Sequence, residues 1–145
     1  MFKFSKSIYH IIMTNESKKI LSEISAGELL DKISILEIKL DKIKDKNKHE
    51  EVEKEYNLLK KVQKSNIKTN QEIERLFTEI KKTNLSLWDI EDKIRICEKR
   101  KDFGENFINL ARNVYINNDK RAKIKSEINK ILGSNIKEIK EYADY

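Results

Sequence analysis

SAGELLDKISILEIKLDKI, residues 25–43, decides the fold. Leu29, Ile33, Leu36, Leu40 and Ile43 recur at spacings of four and three, so they share one side of an α-helix and form a seam for a partner helix. Leu30, Ile35 and Ile38 widen that surface, which predicts contact with more than one neighbour. The start is equally legible. Ser25 and Glu28 have the S-x-x-E spacing of a capping box, and Ile24 and Leu29 are placed as a hydrophobic staple.

The same pattern recurs along the chain. After a polar connection at 44–48, a second helix is expected from about His49 to Lys64, with Val52, Tyr56, Leu59 and Val62 on one face. A joint at 65–70 precedes a long third helix, about Asn70 to Arg100, with Thr69 and Glu72 as its capping box. Its seam is Leu76, Ile80, Thr83, Leu87, Ile90, Ile94 and Cys97. Asp102 is placed to cap a fourth helix carrying Phe107, Leu110, Val114, Ile124, Ile128 and Ile131, with Gly133 just past its end. Asn117, Asn118 and Asp119 favour caps and turns and are the place where that helix would break. A short terminal helix over 136–142 completes the pattern.

Composition agrees. Three glycines and no proline in 145 residues contrast with the roughly ten and seven of average usage. So few turn residues exclude a many-stranded sandwich or doubly wound sheet. The expected fold is all-α: an antiparallel four-helix bundle of two hairpins, with hairpin one–two packed on part of a longer hairpin three–four. Residues 20–145 read as one helical domain. Residues 1–19 are poorly patterned and read as an arm or as a non-native start, with Met13 as the natural one.

Charge is dense and mixed: 31 basic against 25 acidic residues, net +6. Lys and Glu alternate through most of the sequence, as on solvated helix faces laced with ion pairs. Lys120, Lys123, Lys125 and Lys130 are a basic stretch that offers nucleic acid only a weak third reading. No apolar run reaches the ~20 residues of a membrane span. The lone Cys97 excludes an internal disulfide and suits a reducing, cytoplasmic setting. His10 and His49 have no zinc spacing, and Asp89, Glu91 and Asp92 leave their helix in different directions, so neither metal nor cofactor is expected.

Only five of the basic residues are arginine, and Arg95, Arg112 and Arg121 lie close together. In a lysine-biased chain an arginine marks a place where the planar guanidinium matters. At 100° per residue, Asn84, Glu91 and Arg95 flank the helix-three seam with Trp88 beside them, and Asn117 and Arg121 continue the helix-four seam. These seven residues are the candidate site. They form either an internal network, with Glu91 paired to Arg95 or Arg112, or a cleft holding a carboxylate or phosphate. The leading reading is a non-enzymatic interaction or scaffold module that self-associates or docks on another protein through the ends of helices three and four. The alternative is a small helical enzyme or sensor that binds an anionic metabolite through Arg95, Arg112 and Arg121.

The run SAGELLDKISILEIK (25–39), with LWDIED (87–92) and Arg95, DFG (102–104), FINLAR (107–112) and NDKRA (118–122), resembles a family of small uncharacterised bacterial and phage proteins. The resemblance covers roughly residues 20–142 and implies no established activity. Members of that family occur beside carbohydrate-transfer machinery, which implies a link to surface polysaccharide.

Overall fold

The computed structural model describes residues 19–143, so the expectations for residues 1–18 and for Met13 as the start lie outside the described residues. The fold is all-α. Four helices, α1 (Ala26–Lys42), α2 (Lys46–Asn66), α3 (Gln71–Arg100) and α4 (Glu105–Ile131), account for all regular structure among the described residues. The chain reverses between α1 and α2 and between α3 and α4. Glu37 meets Lys81 at 2.7 Å and Lys42 meets Asp89 at 3.8 Å, so α1 runs in the direction of α3. Gly27 meets Asn129 and Glu28 meets Lys125, so α1 runs against α4.

Helix α1 is therefore the hub, packed on α2, α3 and α4. The wide apolar surface foreseen for it is what makes this possible. Leu29, Leu30, Ile33, Leu36 and Ile38 are all buried. Leu30 joins Ile73, Leu76 and Ile80 of α3 and Ile124 and Ile128 of α4 in the main core cluster. Each such side chain contributes about 1.5–3 kcal/mol by leaving water. Helix α2 flanks α1 and has no buried residue of its own, so α1, rather than a two-helix layer, contacts the longer hairpin. The α2 face is half-buried at Val52, Tyr56 and Leu59 and open at Val62. At 30 and 27 residues, α3 and α4 are about 45 and 40 Å long, against about 25 Å for the 17 residues of α1. Their joined ends project past it.

The helix ends show where local chemistry differs from the expectation. Ser25 caps α1, accepting from the Glu28 N–H at 3.2 Å. The Ala26 and Gly27 N–H groups, which no residue of α1 can satisfy, donate to Ser134 Oγ at 3.0 Å and Asn129 Oδ1 at 2.7 Å. A Cβ on Gly27 would lie 2.5 Å from the Lys125 carbonyl oxygen, so only glycine admits this approach of α1 to α4. Asn70, not Thr69, caps α3, accepting from Ile73 N–H at 2.9 Å. Asp102 does not cap α4. Lys101 takes a left-handed conformation, the chain turns through 102–104, and Asp102 instead accepts the Gly104 N–H in an Asx turn at 3.2 Å.

Helix α4 runs unbroken through 117–119. Asn113 and Asn117 donate to the carbonyls four residues earlier, at 2.9 and 2.8 Å, so these asparagines leave the helical bonding intact. The terminal helix expected over 136–142 does not form. Gly133, at φ 63, closes α4, and Ser134 N–H returns to the Asn129 carbonyl at 2.9 Å. The following segment is tied down by side chains instead: Asn135 donates to Glu23 at 3.1 Å, and Glu138 meets Lys125 at 2.6 Å.

Candidate functional site

Where α1 stops short of the longer hairpin, α1, α3 and α4 enclose an open cleft of about 640 Å³. The 84–95 row on α3 forms one wall because its members recur at three- and four-residue steps and share a helix face. That wall presents Trp88, Glu91, Asp92 and Arg95. Helix α4 presents Asn118 and Arg121, and α1 adds Lys39 above the apolar floor of Ile35, Ile38 and Leu87. Three cations from three helices line it together with two carboxylates of α3, one of which, Glu91, holds Arg95.

Five of the seven sequence candidates thus line one cleft: Asn84, Trp88, Glu91, Arg95 and Arg121. Arg112 does not join them. It is exposed, nine positions from Arg121, and nine steps of 100° turn a straight helix through half a circle. Asn117 is also outside, its amide engaged with the Asn113 carbonyl, and Asn118 takes the place expected for it. Glu91 pairs with Arg95. Both side chains stay in water, 46% and 70% exposed, so the pair is not the internal bridge that would leave a stranded guanidinium on loss of Glu91.

The buried polar network lies one layer below, around residues that sequence reasoning missed. Asn84 Nδ2 donates to Asp31 Oδ1 at 2.7 Å and lies 2.8 Å from Ser34 Oγ, and the Ser34 hydroxyl donates to the Asp31 carbonyl at 2.7 Å. Arg121 approaches Asn84 Oδ1 at 3.4 Å. Burial pushes the Asp31 carboxyl above its ordinary value, resisted by the Asn84 hydrogen bond and by the charges of Arg121 and Lys125. A sequence signal for Asp31 and Ser34 existed. Ile38 lies seven positions after Asp31 and four after Ser34, so all three share one direction on α1, inside its apolar surface.

Further along α4, Lys125 is buried between Glu28 and Glu138, each at 2.6 Å. Burial disfavours its ammonium, but the two carboxylates together outweigh that and hold its pKa above the ordinary lysine value. The same contact draws the Glu138 carboxyl below its own. With Lys125 enclosed, the 120–130 lysines do not form one continuous basic face. Cys97 is buried at the far end of α3, with Asn106 Nδ2 3.5 Å from its sulfur. Among the described residues no cluster of acidic, histidine and cysteine side chains could hold a metal, and no helix is long and apolar enough to cross a membrane.

Residues 20–144 match the model of a family of unknown function, DUF6165. The chain belongs to that family. The match spans the capped α1, the polar row of α3 and the arginine-bearing stretch of α4, so every wall of the cleft lies inside the DUF6165 region. No curated protein and no solved structure matches the chain.

Proposed function

We propose that this protein is a non-enzymatic binding module whose cleft takes a small anion, in a reducing, cytoplasmic setting that suits the buried lone thiol. The observation that carries this reading is the arrival of Lys39, Arg95 and Arg121 from three different helices at one open cleft. Guanidinium forks and an ammonium arranged in this way match carboxylate and phosphate oxygens.

Thermal melts of the full chain in rising phosphate or citrate test the proposal. A ligand that binds only the folded state adds stability that grows with concentration, about 2.7 kcal/mol at a hundredfold excess over Kd. Millimolar citrate should raise Tm in the native protein and in Arg112→Gln, whose side chain lies away from the cleft. Arg95→Gln and Arg121→Gln should lose the response. An equal response in all four proteins, or none in the native chain, would defeat the reading.

A second reading, self-association or docking on another protein, is favoured by the projecting ends of α3 and α4. Ile96, Phe103 and Ile108 are each about half exposed there, beyond the reach of α1. Light scattering should show a species heavier than 17.2 kDa at high micromolar concentration, and Ile108→Glu should return it to the monomer. A concentration-independent monomer rules out self-association.

A further inference from the structure

The cleft holds more than cations, and the surplus narrows its ligand. Its floor is apolar, one wall carries an indole, and two carboxylates stand beside the guanidiniums. A bare phosphate or citrate would use the cations and leave the indole and the floor wet. A fatty acid would cover the floor but place alkyl chain against Glu91 and Asp92, which need hydrogen-bond donors when water leaves. A ring with an aromatic face and N–H groups at its edge satisfies both demands. Its face covers Trp88, its edge donates to the carboxylates, and an attached phosphate meets cations of the lining.

We infer that the cleft binds a nucleoside monophosphate: base against Trp88, phosphate on the cations of the lining. This inference rests on the anion-binding reading above and goes beyond it in naming the ring. A cleft of about 640 Å³ lies within the roughly 300–1,000 Å³ range of small-molecule sites. Stacking of a base on an aromatic side chain is worth at least about a fivefold gain in affinity, and every base has a face to offer. The acceptors on α3 supply hydrogen bonds at the ring edge, while Asn118 on α4 offers an amide across the cleft.

Trp88 is the only tryptophan in the chain, so its emission reports on this cleft alone. The full-length protein is titrated with AMP, UMP, ribose 5-phosphate and inorganic phosphate, following fluorescence and, in parallel, heat by calorimetry. AMP or UMP should quench Trp88 saturably and bind at least about fivefold tighter than ribose 5-phosphate. In Trp88→Leu the nucleotide should lose the stacking share of its advantage, while ribose 5-phosphate should bind unchanged. Trp88→Phe keeps an aromatic face and should retain most of the gain, which covers the case where the leucine variant folds poorly. Equal binding of ribose 5-phosphate and both nucleotides overturns the nucleobase while leaving the anion cleft standing. Failure of all four to bind at millimolar concentration overturns the nucleotide, and the citrate melts then show whether the anion reading falls with it.

Discussion

The two ends of the long hairpin are built on opposite terms. Near the close of α4, α1 covers the hairpin and polar groups go inside in matched sets: Asp31 with Asn84 and Ser34, the α1 N–H groups with Asn129 and Ser134, Lys125 between two glutamates. No buried side-chain nitrogen or oxygen among the described residues lacks a partner. At the turn end, Phe103 and Phe107 meet edge to face at 5.3 Å, but Ile96, Phe103 and Ile108 remain half in water and the ion pairs are exposed. Covered polar groups demand satisfaction because an orphan in low dielectric is expensive. Exposed pairs demand little and contribute little. The candidate cleft sits at the border of the two regimes, where α1 ends.

Substitutions can break this contrast. The largest effect is expected at Asn84, whose amide serves Asp31 and Ser34 together. Asn84→Ala leaves a buried carboxylate without its donor and should cost about 3 kcal/mol in urea melts. A loss below ~1 kcal/mol would mean the network is not what organises the covered end. Gly27→Ala comes next. Its Cβ meets a backbone carbonyl, which cannot rotate aside, so α1 and α4 must separate. Overpacking of this kind should cost about 2 kcal/mol, despite the better helix propensity of alanine. An unchanged Tm would show the two helices giving way freely.

Asp31 sharpens the contrast through pH. Its carboxyl is raised above 3.8 in the folded protein, so between 3.8 and the folded value the native state holds a proton that the unfolded chain has released. That contribution is fully present below 3.8 and is lost as pH rises through the folded value. The stability of the native protein relative to Asp31→Asn should therefore decline as pH increases above 3.8. A difference that is flat, or that grows with pH, contradicts a burial-dominated Asp31. The smallest effect belongs to Glu91. Glu91→Ala removes only an exposed pair and should shift stability by no more than ~0.5 kcal/mol. A loss above 2 kcal/mol would place Glu91 with the covered network after all.

Legibility in the sequence followed the same division. The seams of α1 and α3 were readable because apolar side chains at three- and four-residue steps have one stable destination. The row 84–88–91–95 was readable for the same reason, and it brought four candidates to the cleft, where Arg121 of α4 joins them. Arg112 misled because it was singled out as a rare arginine near the others in sequence, although nine helical steps turn it away from Arg121, and Asn117 because its amide is taken up by the Asn113 carbonyl. Asp31 and Ser34 had a local signal in their place on the apolar face of α1, but their partner, like that of Asn129, lies roughly fifty to a hundred positions away, which no local window contains. The segment after Gly133 followed this rule too: its helical pattern lost to side-chain ties with Glu23 and Lys125.

The Gly27–Asn129 clasp also has an order in time. Its members lie 102 residues apart, and the neighbouring Ala26–Ser134 bond spans 108. At about 5–20 residues per second on the ribosome, the first turn of α1 waits roughly 5–20 s for the acceptors that complete it. Until then its two donors must remain hydrated, and the hub of the fold is a nascent helix without its keystone. Vectorial synthesis thus makes the first-formed helix the last to be finished, so the native arrangement becomes available only once nearly all of α4 and the turn beyond it have emerged.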